Sequence, residues 1–294
     1  MDNNEKAILT TLIYSNIFDY PLTKQELWEY ALTPSSLNKK EFFTTLTTFP
    51  HCRSKRQYYF LPGAEAIVQI RLNREAVAKK KLFLAKKTAR ILSIIPTIQF
   101  IGISGSLSMN NTQDEDDIDL VIITRQHSIW VTRFCIFIML EIFRKRRKRG
   151  SRQVNDKICV NLLLEESSLA LSPRRQNIYT AHEIIQVKAL FDCNNMHQRF
   201  LLANPWVKKF MPHALSRIKG KKYQKPYLCR DVALQRLYRW LNSLAKCLQL
   251  WYMKGQHSSE IISDTVLAFY QSATQQRILG EYEKGLRQYN ISNV

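Results

Sequence analysis

Apolar residues recur three and four positions apart along the first 50 residues, the spacing of helices that bury one face. Ile8, Leu9 and Leu12 predict a first helix over residues 5–18. Two further helices are predicted to begin at capping-box patterns, in which a small polar residue precedes a glutamate by three positions. These patterns are Thr23 with Glu26 and Asn38 with Glu41. Consecutive aromatic residues within 53–61 then favour a strand.

The middle of the chain changes to short, β-branched apolar runs. Residues 98–104, 118–124 and 158–164 are such runs, and an apolar helix is predicted over 128–143. Short apolar strands that alternate with helices are typical of a central α/β sheet. The apolar helix is shorter than the roughly 20 residues of a bilayer span, so we expect it to be buried. From residue 178 onward the spacing is mostly helical, with a leucine seam ending at Trp251 that we expect to pack on the central domain.

Glycine and proline are sparse, at 8 and 9 residues, which favours helices joined by short connections over an all-β fold. We expect an α+β or α/β protein with a mixed sheet and flanking helices. Residues 1–63 form a winged-helix-like region, because three helices precede a small β-ribbon. Residues 64–96 form connecting basic helices, residues 97–190 the sheet domain, and residues 191–294 a helical C-terminal region.

The net charge of +20 predicts attraction to polyanions such as nucleic acid, nucleotides or anionic lipid. The densest positive segment is Arg144, Lys145, Arg146, Arg147, Lys148 and Arg149. A polyanion would relieve repulsion within this segment, although a solvated turn remains an equal alternative. Lys79, Lys80 and Lys81 are expected on a solvated helix face.

The spacing of the cysteines indicates in which cellular compartment the protein is expected. The six cysteines include no Cys-x-x-Cys pair, and we expect no secretory leader. We therefore expect reduced thiols in a cytoplasm.

One segment carries recognisable chemistry. A strand ends in Gly105-Ser106, and after ten residues Asp117 and Asp119 begin the next strand. A strand-to-helix turn with glycine directs backbone N–H groups and a hydroxyl at one point, which suits phosphate. Because side chains alternate along a strand, Asp117 and Asp119 lie on one face. The sequence therefore predicts two convergent carboxylates beside a phosphate-binding turn.

Two carboxylates about 5 Å apart repel by roughly 3 kcal/mol at an effective dielectric near 20. A hard divalent cation with oxygen ligands, Mg²⁺ or Mn²⁺, would offset that repulsion and leave positions for substrate phosphates. The alternative is a solvated acidic loop, which we expect for residues 114–116. Asp119 stands between Ile118 and Leu120 inside an apolar run, where an unpaired charge is costly, and this favours the metal site.

This arrangement resembles the nucleotidyltransferase superfamily whose founding fold is that of DNA polymerase β. The resemblance covers residues 100–124. More loosely, the chain is similar to bacterial proteins that place a winged-helix-like segment and a Phe-Leu-x-Gly stretch, here residues 60–63, before such a domain. The resemblance implies that Gly105 and Ser106 bind the triphosphate of an NTP, and that Asp117 and Asp119 bind magnesium. It further implies attack of an acceptor hydroxyl on the α-phosphate, with pyrophosphate leaving.

The chain departs from the family at the third carboxylate. The matching strand offers Asn161 as its central polar residue, and an amide cannot take a proton. Losing a general base removes a factor of about 10² to 10⁴ in rate. The competing hypothesis is a catalytically weak or inactive nucleotidyltransferase-like protein that senses nucleotide or binds nucleic acid as a regulator.

Overall fold

The computed structural model describes residues 1–148, 151, 153–216, 232–253, 261–269 and 272–291, without the side chains of 232–237, 261 and 272. Arg149 therefore lies outside the described residues. The predicted α/β class with a mixed sheet and flanking helices is confirmed. No helix in the described part of the chain combines the length and apolarity that a membrane crossing needs.

The N-terminal region joins helices α1 (Asn3–Asn16), α2 (Lys24–Glu29) and α3 (Lys39–Thr48) to a small antiparallel sheet. Its strands are β1 (Leu22–Thr23), β2 (Arg53–Lys55) and β3 (Tyr58–Phe60), in the order β1-β3-β2. The Thr23 hydroxyl accepts from the Glu26 N–H, and the Glu26 carboxylate accepts in return from the Thr23 N–H. At α3, Asn38 caps the first turn by accepting from the N–H groups of Lys40 and Glu41.

Helix α4 (Ile67–Leu92) is one continuous helix between this region and the central sheet. Its basic residues do not all face solvent. The prediction that Lys81 lies on a solvated face is wrong, because its side chain is only 2% exposed. The Lys81 ammonium donates to the carbonyl oxygens of Asp114 and Asp116 and to the Asp156 carboxylate, at 2.7–3.1 Å. A buried lysine thus fixes the acidic loop that precedes β5.

The central sheet has six strands in the order β7-β4-β5-β6-β9-β8. They are β4 (Ile98–Ile103), β5 (Ile118–Thr124), β6 (Ile158–Glu165), β7 (Lys188–Asp192), β8 (Ile261–Ile262) and β9 (Val266–Ala268). Strands β5 and β6 are parallel and the other pairs are antiparallel. A parallel pair needs a crossover, which α6 (Ile129–Ile142) supplies.

The remaining helices are α5 (Gly105–Ser108), α7 (Ile178–Ile185), α8 (Met196–Leu202), α9 (Val232–Met253) and α10 (Ser272–Gln288). Strands β7, β8 and β9 were not predicted, because each is short and lies where helical spacing dominates. The prediction that the leucine seam packs on the central domain is wrong for three of its residues. Ala245 and Gln249 of α9 are buried, whereas Leu244, Leu248 and Trp251 are exposed. Gln249 accepts from Arg133 and donates to the Trp130 carbonyl, so polar contacts fix α9 on α6.

The two faces of the sheet pack into different cores. Ile118, Leu120 and Ile122 of β5 face α4 and α6, whereas Val121 and Ile123 face the N-terminal helices with α7, α8 and α10. Alternation along β5 therefore places Asp119 on the second face, beside α1, α7 and α10.

Candidate functional site

The Gly-Ser turn lies directly against Asp119 because β4 and β5 are adjacent and antiparallel. Ile103 pairs with Leu120, and the Ser104 N–H donates to the Asp119 carbonyl at 3.1 Å. Gly105 follows with φ of +61°, a conformation that side chains disfavour. A methyl group at Gly105 would lie 2.8 Å from Oδ2 of Asp119. Only glycine lets the turn approach the carboxylate this closely.

The structure brings Asp117 and Asp119 together with the thiol of Cys159. One ligand atom from each of these residues lies within 4.8 Å of the others, and all three residues are partly buried. Such a group can hold a metal ion. The two carboxylates are hard oxygen ligands that suit Mg²⁺, whereas a thiol is a soft ligand that does not.

Cys159 occupies the place beside Asp119 where we expected the amide of Asn161. In the parallel pairing, Asp119 lies opposite Cys159 and Leu120 opposite Val160, but Val121 lies opposite Leu162. The register shift leaves Asn161 as the extra residue of a β-bulge, and its carbonyl accepts from the Phe269 N–H. The regular alternation of side chains along a strand does not reveal a bulge, so the sequence did not show that Cys159 would lie beside Asp119.

The charges of the site are incompletely balanced. Burial raises the pKa of Asp119 to about 8, and the negative charges of Asp117 and Glu183 add to the rise, while Arg147 opposes it. The Arg147 guanidinium forms an ion pair with Asp117. Burial, followed by the charges of Asp119 and Asp117, raises the pKa of the Cys159 thiol, so this group stays protonated. Among the described residues, Arg147 is the cation that contacts the acidic pair, and it contacts Asp117 rather than Asp119.

Ser106 adjoins the site, but its hydroxyl donates at 3.1 Å to Asp116. Asp116 also accepts from the Thr112 hydroxyl and the Gln113 N–H. The interpretation of Asp116 as merely solvated is therefore wrong, because this carboxylate organises the loop. A bound phosphate would have to share or replace the Ser106 donor.

The described part of the basic segment is largely paired. Arg147 reaches Asp117, while Arg146 and Lys148 face Glu141 at 3.8 and 2.9 Å. The sequence identified Arg147 as a charge for polyanions but not as a neighbour of the acidic pair. The signal that could have found it is its place in the segment between α6 and β6, the strand that flanks Asp119.

Glu183 of α7 was also missed by sequence reasoning. It lines a cavity of ≈220 Å³ together with Gly105 and Ser106. Nothing in the local spacing of α7 distinguishes Glu183 from a surface glutamate, because its surroundings come from distant parts of the chain.

Comparisons with known proteins add little. No protein family matches the sequence, and no curated protein does so. A solved structure described as a toxin-antitoxin with AMP-PNP matches 56% of this chain and 98% of its own, at 13% identity and a TM-score of 0.26. A likeness at that TM-score assigns neither fold nor function to this chain.

Proposed function

We propose that this protein is a magnesium-dependent nucleotidyltransferase, which moves a nucleoside monophosphate from an NTP to an acceptor hydroxyl. The observation that carries the proposal is the pair Asp117 and Asp119 facing the Gly105 turn. A glycine turn that lies against Asp119, next to the Asp117 carboxylate that Arg147 contacts, suits a cation bridged to phosphate.

The donor set fits magnesium. Asp117 and Asp119 would hold the ion, and the protonated Cys159 thiol would pack beside it without ligating. When bound, the ion stabilises negative charge on the attacking and leaving oxygens. Gly105 and Ser106 would bind the triphosphate, and Arg147 would exchange its contact with Asp117 for a phosphate oxygen. Asn161 would act through hydrogen bonds alone, since its amide cannot take a proton.

The experiment uses the full chain with α-labelled NTPs, Mg²⁺ and pooled cellular RNA, DNA or protein. We expect pyrophosphate release and transfer of label, and we expect Asp119→Asn to abolish both. Asp264→Asn is the matched control, because this carboxylate is exposed and pairs only with Lys246 among the described residues. Calorimetry of NTP binding with and without Mg²⁺ tests the metal separately, and binding that does not depend on Mg²⁺ would contradict the proposal.

A second candidate is a non-catalytic regulator that binds nucleotide or nucleic acid, and a specific observation favours it. The acidic group contains a thiol in place of a third carboxylate, and Arg147 already neutralises Asp117. This candidate predicts no pyrophosphate release, together with polyanion binding that weakens steeply with salt through the basic segment. In either case we propose a reducing, cytoplasmic setting, consistent with the free thiols of all five cysteines that the structure describes.

A further inference from the structure

The cavity beside the Gly105 turn lies between α1, α5, α7 and α10. Polar side chains and Arg277 line it together with the aromatic rings of Tyr14, Phe18, Tyr20, Tyr30 and Tyr179. His182 is neutral there, because burial lowers its pKa to about 4, and its ring stacks on Tyr14 with centroids 4.1 Å apart. Aromatic rings of this kind suit an uncharged part of the acceptor, while Gly105 and Ser106, which line the same cavity, are the residues proposed to bind the phosphates.

Glu183 is the acidic residue on the cavity wall. It also lines a second void of ≈20 Å³ beneath the sheet, together with Ser104, Val121 and Leu162. That volume holds about one water molecule. The Ser104 hydroxyl is buried there and has no hydrogen-bond partner among the described residues. Glu183 therefore lines both the cavity and the water-sized void.

Glu183 has no ion pair or hydrogen bond within the part of the chain that the structure describes. Burial raises its pKa to about 7. A partly buried carboxylate without a partner is destabilising, and such groups concentrate at functional sites. Glu183 is close enough to Asp119 for the two charges to repel, yet it lies outside the group of possible metal ligands.

On the basis of the proposed function, we infer that Glu183 receives the proton of the acceptor hydroxyl and that the acceptor reaches the site through this cavity. The O–H bond of the acceptor breaks as its proton moves to the Glu183 carboxylate. The acceptor oxygen forms a bond to the α-phosphorus, and the bond from that phosphorus to the bridging oxygen breaks, so that pyrophosphate leaves with the electron pair. A carboxylate from helix α7 thereby supplies the proton acceptor that β6 lacks.

The test compares Glu183→Gln, Glu183→Ala and Asp119→Asn in single-turnover pyrophosphate release with pooled RNA, DNA or protein as acceptor. We expect Glu183→Gln to lower the rate by about 10² to 10⁴ while the Kd for Mg-NTP stays within about threefold of wild type. We also expect added formate to restore part of the rate of Glu183→Ala, because it occupies the vacated space and accepts the proton. Formate should not restore Asp119→Asn.

Glu165→Gln is the matched control. Glu165 is a buried carboxylate outside the site, where it accepts from the Ser128 N–H ahead of α6. The inference is overturned if Glu183→Gln keeps a rate within threefold of wild type, if its Kd for Mg-NTP weakens by the same factor as its rate, or if formate restores nothing. A wild-type protein that binds Mg-NTP but releases no pyrophosphate contradicts the proposed function itself. The two failures are therefore distinguishable.

Discussion

Two groups of partly buried charges, one around Arg71 and one at the acidic pair Asp117 and Asp119, each combine a guanidinium with two carboxylates. Only at Arg71 does the guanidinium contact both carboxylates. The Arg71 guanidinium donates to both carboxylate oxygens of Glu26, at 2.8 and 2.9 Å, and to Glu75 at 2.9 Å. It also stacks on the rings of Tyr20 and Tyr58. Burial alone would raise the pKa of Glu26, but hydrogen bonds from Arg71 and its charge outweigh burial and hold that pKa below its ordinary value. The cluster joins α4 to the N-terminal region.

At the acidic pair, the pKa shift has the opposite direction. Arg147 is the cation that contacts Asp117, and the pKa of Asp119 is raised to about 8. The fold therefore retains repulsion here that it removes at Arg71. Removing one partner of a buried ion pair leaves an uncompensated charge and destabilises the fold, whereas a carboxylate that no cation contacts is available to bind one.

The largest expected effect comes from removing the cation of the balanced cluster. Arg71→Met should lower the free energy of unfolding by about 3–5 kcal/mol, because Glu26 is left buried without its partner. Denaturant unfolding measures the loss. The double variant with Glu26→Gln should regain most of it, and failure to regain it would show that Arg71 stabilises through packing rather than charge. Arg74→Met is the control, since the Asp19 side chain that it pairs with is 51% exposed.

At the acidic pair, removing a charge should stabilise the protein. The pKa of Asp119 is about 8 in the fold against an ordinary 3.8, so ionisation is harder in the folded state. The destabilisation therefore grows as pH rises from about 4 towards 8. Asp119→Asn should therefore raise the free energy of unfolding at pH 8 and change it by almost nothing at pH 4.

Thermal unfolding at the two pH values measures this effect. Mg²⁺ should raise the Tm of the wild type at pH 8 and leave that of Asp119→Asn unchanged. Asp116→Asn is the control with the opposite sign, because it weakens the hydrogen bonds that organise the loop. Equal stability of wild type and Asp119→Asn at pH 8 would refute the proposed charge imbalance.

A smaller effect separates backbone strain from contact with the carboxylate. Gly105→Ala and Gly63→Ala should each cost about 1–2 kcal/mol, because both glycines have positive φ, +61° and +84°. A methyl group at Gly63 meets open space, whereas at Gly105 it meets Asp119. Only Gly105→Ala should therefore also weaken Mg-NTP binding, as measured by calorimetry. Weakened binding in both variants would mean that the close approach to Asp119 is not the cause.

The smallest expected effect is a change in Mg²⁺ affinity when Arg147 is replaced. Arg147→Gln should raise the affinity for Mg²⁺ alone several-fold, about 0.5–1 kcal/mol, because the ion no longer competes with a guanidinium. Lys148→Gln is the control, since Lys148 pairs with Glu141 at the surface. Calorimetric titration with MgCl₂ measures both variants. Weaker Mg²⁺ binding by Arg147→Gln would indicate that Arg147 positions Asp117 rather than competing for it.

Local pattern was enough for the elements that hold the site. The apolar runs predicted strands β4, β5 and β6, the capping residues placed the starts of α2 and α3, and alternation placed Asp117 and Asp119 on one face. Each of these depends on residues only a few positions apart, whose preferences the sequence displays directly. The catalytic and binding roles of these residues remain predictions.

Tertiary structure decided which side chains complete the site. The bulge in β6 puts Cys159 rather than Asn161 opposite Asp119, helix α7 brings Glu183 to the same face, and packing of α4 buries Lys81 against the acidic loop. None of these contacts has a local signature, since each joins residues far apart in the chain. Strand register and helix packing are set by the energy of the whole core, so a single sequence shows that the acidic pair needs a partner but does not show which residue supplies it.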